Sequence, residues 1–379
     1  MTIRYFDNAA TTRLDDEVLK EMIRCYKNEY GNPSSVYSLG RSAKSTLENA
    51  REQIASLLNC KSSELYFTSG GSESDNSAIY GISAACNKSG IVTSSIEHPA
   101  VLETVQSLEK AGKHCSYISV NTNGIIDLDA AKELIKADTG LVSTMLVNNE
   151  TGVIQPINEL AFEAHKAGAY FHTDAVQATS YHKIDLQQLN TDSLSMSAHK
   201  FNGPKGIGIL YLKTGTPFEK FIHGGHQERN RRAGTENAAL AVGFAKALEI
   251  TYNNIEIYKK RTNLLRHNFE SAIKSEFPET VINGENAQRC CSITSLTFPG
   301  ISADSIIMNL DLEGICVSAG SACASGSITP SHVLTAMGIE KSNAKSSIRV
   351  SFGKYNTEDE TEYLIKTLTR IIKRLKTFK

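Results

Sequence analysis

Short apolar runs recur along this chain, separated by longer stretches of helical periodicity. Glu64-Leu-Tyr-Phe-Thr, Gly90-Ile-Val-Thr-Ser-Ser, Leu141-Val-Ser-Thr-Met-Leu-Val and Ala169-Tyr-Phe-His-Thr-Asp read as strands. Asp192-Ser-Leu-Ser-Met-Ser alternates like a strand, and Ile207-Gly-Ile-Leu-Tyr-Leu resumes as an apolar one. Helical patterns alternate with these runs from about residue 15 to about residue 235, the signature of an α/β domain with a largely parallel sheet. Glu236 to Lys274 then carries a long Ala- and Leu-rich helical pattern with one break near Tyr252-Asn-Asn, and bridges out of that domain. Beyond it, Ser292–Phe298 and Ser347–Phe352 read as strands, and Ala303–Leu312 and Glu358–Lys376 as helices. The expected organisation is a large domain over 16–255 and a smaller α+β domain made of 1–15 and 256–379.

Composition narrows the class. With 379 residues the chain can build a large core, and a formal net charge of -1 offers no basic surface for nucleic acid. The N-terminal residues form no secretory apolar region, and no run is long enough to span a membrane. The eight cysteines are scattered without a CxxC pair, which points away from a zinc ribbon and toward free thiols in a reducing cytoplasm. His223-Gly-Gly-His226 lacks a third ligand at suitable spacing, so no metal is assigned.

The candidate chemistry sits at strand ends. Lys200, in Ser195-Met-Ser-Ala-His-Lys-Phe-Asn-Gly-Pro-Lys-Gly, lies on a short connection between two buried strands, where desolvation lowers an amine's pKa toward Schiff-base chemistry. Thr68-Ser-Gly-Gly-Ser-Glu-Ser-Asp-Asn follows a strand and precedes the helical run from Ser77. It can present Gly71 and Ser72 to one phosphate, or be an ordinary capped turn. Asp174 ends an apolar strand and can hold a pyridinium nitrogen or cap a helix. His98 can stack on an aromatic cofactor and shuttle protons, or serve as a satisfied structural histidine. Asn149 is another polar strand end. Arg349, inside an apolar strand, requires a carboxylate partner, either a substrate's or an internal one. Cys323 sits among Gly, Ser and Ala, where a mobile, exposed nucleophile is expected, whereas Cys316 and Cys290-Cys291 read as structural.

Taken in order, this set resembles the NifS/IscS-type (group I) cysteine desulfurases of the class V aminotransferase family, from Tyr5-Phe-Asp-Asn-Ala-Ala-Thr-Thr to Tyr355-Asn-Thr-Glu-Asp-Glu. Tyr30-Gly-Asn-Pro-Ser-Ser, Asn148-Asn-Glu, His199-Lys-Phe-Asn-Gly-Pro-Lys-Gly and Ser318-Ala-Gly-Ser-Ala-Cys carry the most specific likeness. The resemblance implies a pyridoxal 5'-phosphate (PLP) enzyme of the aspartate-aminotransferase fold (fold type I), acting on L-cysteine as a cytoplasmic homodimer. It implies Lys200 as the Schiff-base lysine, Asp174 on the pyridine nitrogen, Gln177 on the ring oxygen, and His98 stacked on the ring. Gly71, Ser72, Ser197 and His199 hold the phosphate, with Thr235 supplied by the other subunit. Arg349 and Asn149 bind the substrate carboxylate, and Cys323, on a loop at about 318–330, receives sulfur as a persulfide.

The resemblance also has departures. Ser72 stands where many relatives carry threonine, and His226 and Asn230 stand where glycine is common. The C-terminus lacks the longer tail by which IscS-type enzymes engage their scaffold, so a NifU/IscU-like scaffold for iron–sulfur cluster assembly and a tRNA-thiolating enzyme are both open as acceptors. Selenocysteine lysis, another PLP-dependent transfer on this fold, and a non-catalytic docking role are the alternatives.

Overall fold

The computed structural model describes residues 2–319 and 329–377. A seven-stranded sheet forms the centre, in the spatial order Leu65–Thr68, Gly208–Leu212, Ser193–Ser197, Tyr170–Asp174, Thr139–Met145, Gly90–Ser94, His114–Ile118. Gly208–Leu212 runs antiparallel to both of its neighbours, and the remaining pairs are parallel. The edge strand His114–Ile118 escapes the sequence pattern because its residues are exposed or half-buried up to Ile118.

Alternation along the strands sorts side chains to two faces. Leu65, Phe67, Phe171, Leu194, Met196, Ile209 and Tyr211 join the larger core, which the helices Ser38–Leu58, Ile157–Lys166 and Ala238–Asn253 cover. Tyr66, Leu141, Leu210 and Leu212 face the other way, against the helices Gly71–Ala85 and Pro99–Lys110. On that second face the central strands turn polar, with Ser143, His172, Asp174, Ser193, Ser195 and Ser197 all buried. The helix over them starts at Gly71, ahead of the helical run at Ser77, because Gly-Ser-Glu-Ser-Asp has weak intrinsic propensity and forms helix only through its packing. Its start is pressed onto the sheet: a Cβ on Gly208 would lie 2.8 Å from the Cα of Gly70.

The long helical pattern divides into Ala238–Asn253 and Ile255–Glu276, broken at Asn254. A three-stranded antiparallel sheet (Ser347–Ser351, Ile293–Thr297, Val281–Ile282) then builds a second core with the helices Ile255–Glu276, Ala303–Asp311 and Glu358–Thr377. Arg4–Tyr5 pairs with Ile315–Cys316, so the N-terminal segment runs from the second core, at Phe6, to the first, at Ala9. Among the described residues no helix is long and apolar enough to cross a membrane.

One buried ion pair fixes the turn that leads to Thr235. Arg51 meets Glu228 through two bonds of 2.6 and 2.8 Å, and Glu228 also accepts the Phe67 N–H at 3.0 Å. Glu228, Arg229 and Asn230 all take left-handed backbone angles, with φ of 48°, 54° and 62°. Asn tolerates that region best after glycine, which accounts for Asn230 at a position where glycine is common. His226 Nδ1 lies 3.1 Å from Asn230 Oδ1 and braces the same turn. Glu228→Gln leaves Arg51 with the half-exposed Glu48, 3.2 Å from its Nε, as its remaining carboxylate and is expected to cost about 3 kcal/mol, read as a lower urea midpoint by circular dichroism. An unchanged midpoint would show that the pair does not hold the turn.

Candidate active site

The carboxyl ends of the parallel strands open on a cavity of about 290 Å³ whose walls include Gly71, Ser72, Asp75, His98, Asn149, Asp174, Gln177, Ser197, His199 and Lys200. This is where open α/β sheets place ligands. Nine of the residues singled out from the sequence meet here, although they are spread over more than a hundred positions.

Lys200 sits at the end of a single 3₁₀ turn, Ala198–Lys200, directly after its strand. Its Nζ donates to the carbonyls of Ala9 and Ala10 at 2.6 and 2.9 Å. Burial, reinforced by the Arg349 charge, lowers its pKa to about 8, against the pull of Asp174 and Asp7. Asp174 is buried at the end of its strand, and its Oδ1 accepts the Val176 N–H at 2.8 Å. Burial raises its pKa, while His98, that N–H and Lys200 draw it back.

His98 fills both of the roles weighed for it. Its Nδ1 accepts the Ala100 N–H at 3.1 Å as cap of the helix Pro99–Lys110, and the ring also lines the cavity. Burial lowers its pKa, so the neutral ring carries its proton on Nε2. His199 is likewise lowered, to about 4, by burial and by Lys200 and Lys205; its Nδ1 is 3.1 Å from Thr11 Oγ1.

Arg349 has an internal carboxylate: Asp7 Oδ1 lies 2.7 Å from its Nη2, and Nη1 donates to the Asn149 carbonyl at 2.9 Å. Its Nε has no partner among the described residues. Thr235 is exposed and does not line this chain's own cavity. Cys323 lies outside the described residues. Among the described residues, Ser318 pairs with Arg349 through backbone bonds, and Ser331 donates to the buried Glu150 at 2.5 Å.

Three participants gain a role in the site only from the fold. The N-terminal segment supplies a wall of the site through Asp7, Ala9, Ala10 and Thr11, signalled only by the motif Tyr5-Phe-Asp-Asn-Ala-Ala. Asn148, beside Asn149, ties the turn together by accepting the Glu150 and Thr151 N–H groups and donating to the Ile96 carbonyl. Asp75 and His172 lie fully buried beneath Asp174.

The donor set fits PLP. The buried Gln177 Oε1 lacks a hydrogen-bond partner among the described residues, ready for a ring hydroxyl. Gly70 offers no side-chain cap to the helix Gly71–Ala85, which leaves first-turn N–H groups for an anion beside Ser72, Ser197 and His199. Asp174 presents a carboxyl for a ring nitrogen, and Lys200 an amine for an aldehyde.

Comparison with known proteins agrees with that fit. The family model described as aminotransferase class-V matches residues 4–364. The cysteine desulfurase IscS of Clostridium botulinum is 43% identical over 373 residues, 97% of this chain and 94% of the relative. That of Dictyoglomus turgidum is also 43% identical, over 98% of this chain and 95% of its own. Among solved structures, a NifS-like protein superimposes with a TM-score of 0.93 at 38% identity, covering 99% of this chain and 100% of that one. A NifS-like protein from Rickettsia africae gives 0.88 at 33% identity, over 98% and 100%. Fold and site thus define a PLP-dependent enzyme of fold type I. The chain belongs to the class-V aminotransferase family, as a cysteine desulfurase of the NifS/IscS type.

The lowered pKa of Lys200 gives a direct expectation. A lysine is nucleophilic only when neutral, so in cofactor-stripped protein the rate at which an aldehyde reagent modifies Lys200 rises with pH through a midpoint near 8. A midpoint at the ordinary lysine value of about 10.4 would contradict the role given to burial.

Proposed function

We propose that the chain moves the sulfur of L-cysteine onto Cys323, releases alanine, and hands the sulfur to a separate acceptor protein. The observation that carries this reading is the convergence of Lys200, Asp174, His98, Gln177 and an uncapped helix start on one cavity. PLP, when bound, supplies an electron sink for the substrate's α-carbon.

The chain's own residues do the rest. Lys200 Nζ, neutral above about pH 8, takes the α-proton and returns a proton at the end of the reaction. Asp174 would hold the ring nitrogen as its counter-charge, and Gln177 the ring oxygen. His98 would pack against the ring, and with Nδ1 accepting the Ala100 N–H it holds a transferable proton on Nε2. Gly71, Ser72, Ser197 and His199 bind the phosphate, with Thr235 reaching the partner's site in a homodimer; its exposure away from its own cavity supports that assignment. Arg349 and Asn149 orient the substrate carboxylate, with Arg349 Nε left to donate while Asp7 fixes the other end of the guanidinium.

The Cys323 thiolate attacks the substrate sulfur. An S–S bond forms as the C–S bond breaks, and the electron pair left on carbon takes up a proton to become alanine's methyl group. Cysteine plus thiol gives alanine plus persulfide, so no outside oxidant is needed. The acceptor is a NifU/IscU-like scaffold or a tRNA-thiolating enzyme, and the reducing cytoplasm is the compartment that keeps such thiols free. A large PLP-binding domain over 16–255 and a small domain of 1–15 and 256–379 belong to the same reading, supported by the two separate apolar cores.

Incubated with L-cysteine and a thiol reductant, the protein is expected to yield alanine and sulfide. Lys200→Ala is expected to lower that rate by about 10²-fold or more. Cys323→Ser should bind PLP normally yet release no sulfide. Wild-type turnover in Cys323→Ser would exclude the persulfide route, and a wild type that binds PLP but spares cysteine would exclude the reaction.

A further inference from the structure

The cofactor face of the sheet rests on a buried polar chain that the reaction described above does not use. Asp75, one turn into the helix Gly71–Ala85, is 1% exposed and lines the cavity. Its Oδ1 has no hydrogen-bond partner among the described residues, and the Ser195 hydroxyl is near enough to draw its pKa down against burial. Ser195 Oγ is 3.0 Å from His172 Nε2, and His172 Nδ1 is 2.8 Å from Ser143 Oγ. Strand register explains the alignment. Ser143 stands opposite His172, Ser195 stands opposite Asp174, and His172 and Asp174 are two apart on one strand, so all four share the face that Asp75 covers.

The charges around this chain are lopsided. Asp174 faces two groups that can be cationic, His98 and Lys200. Asp75 faces Asp174 and Glu97, both acidic, and its nearest basic atom is His172 Nε2 at 3.7 Å. His172 is fully buried and stays neutral, with a pKa pushed down to about 3. Glu97, from the segment after Gly90–Ser94, is raised by burial to about 8, so its carboxyl is protonated at neutral pH. A buried carboxylate with no cation opposite it is far costlier than the neutral acid. Two nearby carboxyls that cannot both ionise leave the charge on the one facing Lys200, which is cationic below about pH 8.

We propose, resting on the PLP reading above, that Asp75 is a positioning residue held as a neutral carboxylic acid, which makes Asp174 the single anion presented to the cofactor's ring nitrogen. As an acid, Asp75 donates to Ser195, Ser195 donates to His172 Nε2, and His172 Nδ1–H donates to Ser143. An ionised Asp75 reverses every bond, placing the histidine proton on Nε2 instead. The tautomer of His172 therefore reports the protonation state of Asp75.

Two readouts test this on the full-length protein. In ¹⁵N-histidine-labelled protein without PLP, the His172 resonance, assigned by its loss in His172→Gln, is expected to show the proton on Nδ1 at pH 7; a proton on Nε2 overturns the proposal. Loaded with PLP, Asp75→Asn keeps a donor to Ser195 and no charge, so the pH titration of cofactor absorbance is expected to match wild type within about 0.3 unit. Asp75→Leu, which removes the donor, is expected to shift it by about one unit or more. A shift in Asp75→Asn as large as in Asp75→Leu would show that Asp75 is ionised and overturn the proposal. If His172→Gln fails to fold, the absorbance comparison decides alone. Failure of the wild type to bind PLP would instead remove the cofactor reading and leave the tautomer result standing.

Discussion

A carboxyl buried at the end of a parallel strand has to be offset by a cation or neutralised by a proton, and Asp174 is arranged around that requirement. Lys200 and His98 are the groups around it that can be cationic. Each of these is itself weakened by burial, Lys200 to a pKa of about 8 and His98 below its ordinary value. The cavity thus holds an acid, an amine and an imidazole whose charges depend on one another, with little water to screen them. A cationic ring held by Asp174 would complete that balance, and a pyridine cofactor offers one.

The fold exists to hold those three groups at one edge. The apolar face of the sheet packs in the ordinary way, with alternate residues such as Phe67, Phe171, Met196 and Tyr211 in one core. The other face gives up apolar packing at its centre for serines, His172 and Asp174, under a helix whose first turn is Gly-Ser-Glu-Ser-Asp. Such a seam is satisfied only in part: Asp75 Oδ1 and Ser193 Oγ lack hydrogen-bond partners among the described residues. Unmet polar atoms of this kind gather where function, not stability, sets the sequence.

Much of this was legible beforehand because the informative residues stand at strand ends inside short motifs. The alternation before Ser197 and the apolar run after Gly206 located Lys200 between strands, and Asp174 closed a strand in the same manner. What the residues alone could not reveal depends on distance along the chain. Asp7 pairs with Arg349 across 342 positions, and Ala9 reaches Lys200 across 191, so no local pattern announces either contact. Asp75 was hidden for a different reason: glycines and serines masked the start of its helix, and without the helix its burial cannot be inferred. Asn230 needed backbone angles to be understood, since its left-handed φ explains it and no side-chain property does.

The central claim is that these buried charges position one amine for a pyridine aldehyde. Borohydride reduction of the PLP-loaded protein, followed by peptide mass spectrometry, tests it most directly. A pyridoxyl phosphate adduct confined to Lys200 is the result the account predicts. An adduct on another lysine, with Lys200 unmodified, would contradict it.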